Sequence, residues 1–153
     1  MATDLEPALE ICNCLALRQA SRHVTQYYDR YVSSAGLRVT QFSILSQLKR
    51  LGPMTINALA HAMVMDRTTL GRNVLPLQRM GLITTQRRQD DRRSKELRLT
   101  SAGAARLRVA AKKWAEAQAG FEKTFGRARA AELRRLLRAV VTSEPEPAET
   151  ETT

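Results

Sequence analysis

Long hydrophobic runs are missing from this chain of 153 residues. No apolar stretch approaches the ~20 residues that a membrane-spanning helix needs. The first segment, MATDLEPALEI, lacks the positively charged start and apolar stretch of a signal peptide. These two absences predict a cytoplasmic protein without a membrane partner.

Cysteine and histidine are also scarce. The two cysteines, Cys12 and Cys14, are too few for a disulfide framework and suit a reducing compartment. On one helix they would lie about 200° apart, so they could neither bridge each other nor share a metal ion. The two histidines, His23 and His61, do not have the spacing of zinc ligands. We therefore predict neither a metal site nor a cofactor.

Enzyme motifs are absent as well. The sequence contains no GxSxG, HExxH, Walker loop or glycine-rich dinucleotide turn. Its seven glycines are scattered, mostly at breaks between predicted elements. This pattern predicts a protein that is not an enzyme.

Positive charge is what the chain has in excess. Lysine and arginine number 25 against 15 acidic residues, which gives a net charge of +10. Such an excess favours a polyanionic partner, with nucleic acid first and an anionic membrane surface second. The hydrophobic fraction of 43% is ordinary, and the length suits one domain with a real core.

Helical periodicity dominates the first half of the chain. Residues 6–33 form one long amphipathic stripe, which is broken at Gly36. Thr40 is the expected N-cap of a second helix that ends before Gly52, and Thr55 that of a short third helix. Asp66 is the expected N-cap of a fourth helix ending at Gly81. Its predicted core face is Leu70, Val74, Leu77 and Met80.

The second half begins with two alternating runs, residues 82–86 and 96–99, which predict a two-stranded hairpin. Thr100 then caps a long fifth helix that is interrupted at Gly126, and a sixth helix follows. The tail TSEPEPAETETT has no apolar periodicity and is predicted to be disordered. The predicted fold class is mostly α with a small two-stranded β wing.

Two short helices, a tight turn between them and a following hairpin indicate a winged helix-turn-helix. The second short helix would enter the major groove, where arginine can pair with guanine and asparagine with adenine. Gly71 makes the helix less stable than alanine would, by roughly 1 kcal/mol. A close approach of the helix backbone to DNA would explain why glycine occupies this position. Pro76 predicts a kink or a 3₁₀ stretch beyond this point. The candidate DNA-contacting residues are Arg67, Thr68, Thr69, Arg72 and Asn73.

The hairpin tip, RRQDDRRSK, is a second candidate DNA contact because such a wing can lie over the phosphate backbone or the minor groove. Asp90 or Asp91 is expected to orient a neighbouring arginine through a charge-assisted hydrogen bond. The cations of the tip are Arg87, Arg88, Arg92, Arg93 and Lys95. The alternative for both segments is a solvated polar surface.

Four stretches resemble the MarR family of bacterial transcription regulators. They are LRVTQFSIL, GPMTINALAHAMVMDRTTLGRNVLPLQRMGLI, QRRQDDRRSKELRLTSAG and the Ala-rich helix that contains Trp114. The resemblance implies a homodimeric repressor on a pseudo-palindromic operator, released by a small phenolic or aromatic effector. It also implies that Arg93 is the minor-groove arginine, supported by Asp91, and that the first, fifth and sixth helices form the dimer.

The corresponding domains are residues 1–37 and 101–141 for dimerisation, 38–100 for DNA binding and 142–153 for the acidic tail. An effector could meet Arg18, Arg22, His23 and Tyr27 near the first helix. The rival switch is oxidation of Cys14 by an organic hydroperoxide. The resemblance implies it, because the hydroperoxide-sensing branch of the family carries a reactive cysteine in its first helix, which matches Cys14, and a tyrosine that matches Tyr28. Arg18 lies one turn from Cys14, and a nearby cation favours a thiolate.

Two further alternatives remain open at this point. The chain could compact nucleic acid without sequence preference, or its basic face could bind an acidic protein. In the free protein, the glutamates of the tail could mask the basic surface. They are Glu144, Glu146, Glu149 and Glu151.

Overall fold

The computed structural model describes residues 8–143, which form six α-helices and one hairpin. The helices are α1 (Asn13–Val32), α2 (Val39–Leu51), α3 (Ile56–Met63), α4 (Arg67–Arg79), α5 (Ser101–Phe125) and α6 (Arg127–Thr142). The strands are β1 (Ile83–Arg87) and β2 (Lys95–Leu99). The predicted fold class, mostly helical with a two-stranded wing, is confirmed. The chain divides into two compact units between Ala117 and Gln118.

The core of the first unit joins α2, α3, α4, the hairpin and the start of α5. Leu45, Leu59, Leu70 and Leu77 are fully buried there, because helical spacing places their side chains on inward faces. Met80 was expected to join them, but it follows the last residue of α4 and is 42% exposed. The predicted 3₁₀ stretch near Pro76 is wrong, since α4 stays α-helical on both sides of it.

The predicted first helix is interrupted. A 3₁₀ turn covers Leu9–Ile11, and α1 begins only after Cys12, whose backbone is extended. The Cys12 sulfur accepts the Leu15 N–H at 3.4 Å and so acts as the N-cap of α1. The predicted helical separation of the two cysteines therefore does not apply, because Cys12 lies outside the helix.

The expected cap of α2 is also wrong. The helix begins at Val39, one residue before Thr40, and the Val39 N–H donates to Asp29 Oδ1 at 2.6 Å. Asp29 lies in α1, so a side chain from another helix satisfies this backbone group. Thr55 does cap α3, accepting the Ala58 N–H at 3.2 Å.

The wing is tied to the rest of the first unit through β2 and the residue that follows it. Residues 83–87 pair with residues 99–95 in antiparallel register, within one residue of the predicted strands. Met54, before α3, exchanges two backbone hydrogen bonds with Leu97 of β2. Thr100 donates its hydroxyl to the Gly81 carbonyl at 2.7 Å and accepts the Gly103 N–H at 2.9 Å. This last bond confirms Thr100 as the cap of α5.

The second unit contains the end of α5 and all of α6, which meet at Gly126 with φ of +99°. Glu122 accepts hydrogen bonds from Gln118 at 2.9 Å and from Arg134 at 3.2 Å. Apolar side chains of α6 remain between 38% and 59% exposed: Leu136, Leu137, Val140 and Val141. The predicted masking by the tail glutamates concerns residues outside 8–143.

Within residues 8–143, no helix is both long enough and apolar enough to span a membrane.

Candidate nucleic-acid interface

The first turn of α4 is held by its N-cap, as the sequence predicted. Asp66 Oδ1 accepts the Thr69 N–H at 2.8 Å, and Asp66 Oδ2 accepts the Thr69 hydroxyl at 2.6 Å. These bonds stabilise the carboxylate, so they lower the pKa of Asp66, and the Thr69 hydroxyl has the largest effect. The carboxylate thus fixes where α4 begins and how its first turn is oriented.

Two of the five predicted contact residues in α4 already make bonds within the helix. The Thr69 hydroxyl is engaged by Asp66, and Asn73 Nδ2 donates to the Thr69 carbonyl one turn earlier at 2.9 Å. Asn73 is half-buried. Their polar groups therefore also support the start of the helix.

The other three predicted residues, Arg67, Thr68 and Arg72, are exposed. Within residues 8–143 their side chains make no hydrogen bond and no ion pair. Thr68 and Arg72 lie about 160–200° around the helix from buried Leu70, so they point away from the core. Donors that are solvated and fixed on a regular helix are suited to contact an external polar partner.

Two residues that the sequence interpretation missed lie on the same side. Leu75 is 46% exposed, and Arg79 is also exposed. They follow Thr68 by seven and eleven residues, so the helical period alone could have identified them. We call the residues at this spacing the outer face of α4: Thr68, Gly71, Arg72, Leu75 and Arg79.

In the wing, one predicted contact residue is engaged by acidic neighbours. Arg88 donates to both carboxylate oxygens of Asp90, at 2.9 and 2.7 Å, and lies 3.6 Å from Glu96. The bidentate bond raises the pKa of Arg88 and lowers the pKa of Asp90. The expectation that an aspartate orients a neighbouring arginine is thus met by Asp90 and Arg88.

Within the described chain, Asp91 at the tip of the wing bonds to the backbone and not to an arginine side chain. Its Oδ1 accepts the backbone N–H of Arg93 at 3.0 Å, and its carbonyl accepts the Ser94 N–H at 3.0 Å. These bonds shape the turn that carries Arg93 without neutralising the Arg93 guanidinium. The cations of the tip that are exposed and form no ion pair within the described chain are Arg87, Arg92, Arg93 and Lys95.

The wing and α4 are connected by a side-chain contact that the sequence interpretation also missed. Gln78 Nε2, in the last turn of α4, donates to Thr85 Oγ1 on β1 at 2.6 Å. Together with the Thr100 bond to Gly81, this contact joins the last turn of α4 to the hairpin. The outer face of α4 and the wing therefore have a defined relative position within the first unit.

The predicted effector residues do not share one side of α1. Arg18 and Arg22 lie on one face, and His23 and Tyr27 lie about 140–180° around the helix from Arg18. The Tyr27 hydroxyl donates to the Ala117 carbonyl at 3.2 Å and lies 3.4 Å from the Tyr31 hydroxyl. The bond with Tyr31, followed by desolvation, raises the pKa of Tyr27 to about 12. Tyr27 thus connects α1 to α5.

The predicted redox residue, Cys14, is exposed in the first turn of α1. Arg18 is one turn away and also exposed. Tyr28, the tyrosine that the resemblance places in such a sensor, is buried in the last part of α1. Within one chain, Cys14 and Tyr28 are 14 residues apart on this helix, about 21 Å along its axis.

Comparison with known proteins agrees with this geometry. A sequence model of the MarR family matches residues 37–95. The M. tuberculosis transcriptional regulator MosR, solved in complex with DNA, is 34% identical; the match covers 84% of this chain and 98% of that one, with a TM-score of 0.70. No curated protein sequence matches.

Two other solved structures are similar over almost their whole length. A probable transcriptional regulator from Pseudomonas aeruginosa is 27% identical, with 86% of this chain and 98% of that one covered and a TM-score of 0.77. The transcriptional repressor CouR, bound to a 23-mer DNA duplex, is 26% identical, with 87% and 94% covered and a TM-score of 0.79. The fold of these proteins includes both the helices and the wing.

Proposed function

Because this chain belongs to the MarR family of transcriptional regulators, we propose that it is a repressor that binds a pseudo-palindromic operator as a homodimer. It is a DNA-binding transcription regulator and not an enzyme. The observation that carries the proposal is the outer face of α4, where Thr68 and Arg72 are exposed on a helix whose start is fixed by Asp66. MosR and CouR, both solved with DNA, support the same assignment.

In this proposal α4 lies in the major groove and reads base edges. Arg72 is suited to pair with guanine O6 and N7, and Thr68 to contact a phosphate or a thymine methyl group. Arg67, at the N-terminal end, adds positive charge beside the backbone. Thr69 and Asn73 accompany them at the groove while holding the first turns in place.

The wing supplies affinity rather than base selectivity. Arg87, Arg92 and Arg93 would contact the phosphate backbone, and Arg93 would enter the minor groove, where the negative potential is strongest. Asp91 supports this role by fixing the backbone at Arg93. Arg88 contributes less because Asp90 and Glu96 already partner its guanidinium.

Dimerisation is supported by apolar side chains that the single chain leaves exposed. On α1, Leu17 is 39% exposed, and Ala16 and Ala20 of the predicted stripe are also exposed. In the second unit, the apolar side of α6 is similarly uncovered. An isologous two-fold interface would bury both surfaces. It would also place two copies of α4 about 34 Å apart, one turn of DNA.

Release by a small aromatic or phenolic effector is the regulatory part of the proposal. Arg18 and Arg22 on one side of α1, or His23 and Tyr27 on the other, offer groups that could meet a carboxylate or a ring. The redox alternative uses exposed Cys14. Replacing Cys14 with serine separates the two alternatives. If the redox alternative is right, the variant is no longer released from DNA by an organic hydroperoxide. If an aromatic acid is the effector, the variant is released by that acid as the wild type is.

The experiment that tests the proposal is a fluorescence-anisotropy titration with two duplexes of equal length. One is the native DNA from upstream of the protein's own gene, and the other is a scrambled sequence. Both are measured at about 50 and about 200 mM salt, since phosphate contacts make affinity fall steeply with salt. We expect binding to the native DNA to be tighter by ~10³ or more. Equal affinity for both duplexes would favour a nucleic-acid-compacting protein and contradict the proposal.

A further inference from the structure

Gly71, on the outer face of α4, has no structural reason to be a glycine. It lies inside a regular helix, without a positive φ, where alanine is more stable. Apart from its chain neighbours and the backbone of its own helix, a Cβ built at this position would meet no atom of residues 8–143 within 4 Å. Gly103 shows the contrast, because a Cβ there would collide with the Leu82 carbonyl oxygen. The fold therefore requires Gly103 but not Gly71.

Leu75 is the second residue of this face that the fold does not explain. It is 46% exposed, whereas Leu70 and Leu77 of the same helix are fully buried. Leu75 follows Gly71 by four residues, so the two are neighbours on the helix surface. Without a Cβ at Gly71, the surface beside Leu75 lies closer to the helix axis.

We propose that Gly71 and Leu75 form the contact for the 5-methyl group of a thymine in each operator half-site, beside the guanine that Arg72 pairs with. This inference rests on the proposed function of α4. The thymine methyl is the apolar group that a base edge presents in the major groove, and aliphatic side chains are suited to it. The bare Cα of Gly71 lets the base edge approach, and Leu75 packs against the methyl group.

The surroundings favour DNA over an apolar protein partner at this position. Arg72 and Arg79 lie on the same face as Leu75, and Arg67 lies at its N-terminal end, all three exposed. The whole chain has a net charge of +10. A single aliphatic side chain among guanidinium groups that form no ion pair within the described residues is suited to a polyanion that also presents isolated methyl groups.

The test replaces thymine with uracil, which removes only the 5-methyl group. In the duplex that the wild-type protein binds most tightly, each thymine is exchanged in turn for deoxyuridine, symmetrically in both half-sites. We expect one position per half-site at which the exchange lowers affinity by about fourfold for each methyl group lost and at which this loss depends on Leu75. With Leu75→Ala, the same exchange should change affinity by less than twofold. Wild-type protein that is insensitive at every thymine, or an undiminished effect in Leu75→Ala, would overturn the inference.

Gly71→Ala and Leu51→Ala complete the experiment. Gly71→Ala should raise the melting temperature, because alanine favours the helix and meets no neighbour, and should weaken binding to this duplex. Unchanged or tighter binding by Gly71→Ala would also overturn the inference. Leu51, at the end of α2, is a matched control because it is 48% exposed and lies outside α4 and the wing. Leu51→Ala should keep the full uracil effect, and the loss of that effect there would count against a specific role for Leu75.

Binding to the operator and contact with the thymine methyl group can be tested separately. Suppose that Arg72→Ala loses selectivity for the native duplex but no thymine-to-uracil exchange changes the affinity of the wild-type protein. The proposed function then stands and the thymine contact is wrong. If the wild-type protein binds scrambled DNA equally well, the proposed function is wrong and the thymine contact is rejected with it.

Discussion

The start of α4 and the tip of the wing use similar residues in different ways. In α4, Asp66 fixes the helix through Thr69 and leaves Arg72 on a regular outer face. In the wing, Asp91 fixes a turn through the Arg93 backbone and leaves the guanidinium on a short loop. In both regions an aspartate therefore organises the backbone, and arginines that form no ion pair within residues 8–143 remain exposed.

The difference lies in the geometry of what is exposed. A helix face holds several side chains in a fixed direction, which base readout requires, because hydrogen bonds to base edges depend on position. A turn with four cations that have no ion-pair partner in the described part of the chain provides charge near a DNA backbone but little directional selectivity. The comparison predicts that α4 determines which DNA is bound and that the wing determines how tightly any DNA is bound.

The largest expected effect is at Arg72. Replacing it with alanine should cost about 1–3 kcal/mol of discrimination at the operator, because a bidentate pair with guanine is lost. Affinity for scrambled DNA should change much less. Anisotropy titrations against both duplexes measure the two affinities. An equal loss of affinity for both would show that Arg72 contacts phosphate and does not read a base.

The next effect is at Arg93. Its replacement by alanine should weaken binding to the native and scrambled duplexes alike and lower the slope of log K against log salt by about 1. The measurement is the affinity at several salt concentrations. An unchanged slope would mean that Arg93 does not contact phosphate. A loss confined to the native duplex would give the wing a part in base readout.

Removing the cap of α4 should have a smaller effect and one that depends on pH. The folded protein holds the pKa of Asp66 below its ordinary value of 3.8, so its contribution to stability is present above that pH and is lost in acid. Asp66→Ala should therefore lower the melting temperature at neutral pH, and the difference from wild type should shrink as pH falls towards about 3.

Asp66→Asn is the matched control for this prediction. Asparagine is also a good N-cap, but it carries no charge and does not titrate. Asp66→Asn should therefore lie between wild type and Asp66→Ala at neutral pH, and its difference from Asp66→Ala should not shrink in acid. A difference between wild type and Asp66→Ala that is the same at neutral and acid pH would show that the charge of Asp66 is not what stabilises α4.

The smallest expected effect is at Arg88 and Asp90. The double replacement Arg88→Gln with Asp90→Asn removes one positive and one negative charge, which partner each other in the structure. Net charge is unchanged, so the salt slope and the affinity for scrambled DNA should stay close to those of wild type. A fall in slope comparable to that of Arg93→Ala would show that Arg88 leaves Asp90 to contact phosphate.

Much of the fold was predictable because it follows from local patterns. The spacing of Leu70, Val74 and Leu77 predicted the buried face of α4, and alternation around a polar tip predicted the hairpin to within one residue. Asp66, Thr55 and Thr100 were predictable as caps because their acceptors bond to backbone groups three residues along the chain.

Contacts between distant residues could not be predicted in the same way. Thr40 had the right residue type for the cap of α2, but Asp29 of α1 supplies the acceptor. Arg88 has two acidic residues nearby in sequence, and only the conformation of the turn selects Asp90. The bond between Gln78 and Thr85 likewise depends on how the wing packs beside α4.

The outer face of α4 was only partly identified for a different reason. Residue type drew attention to polar side chains, so Thr69 and Asn73 were included although both bond within the helix. Leu75 was left out because it is apolar, although its spacing from Thr68 places it on the same face. Here helical position is more informative than polarity.

The most direct test compares two double variants in one binding assay. Thr68→Ala with Arg72→Ala changes the outer face of α4, and Arg92→Ala with Arg93→Ala changes the wing. The ratio of affinities for native and scrambled DNA is measured for each and for wild type. We predict that the α4 variant loses most of this ratio, whereas the wing variant binds both duplexes more weakly and keeps it. The reverse result would contradict the assignment of base readout to α4.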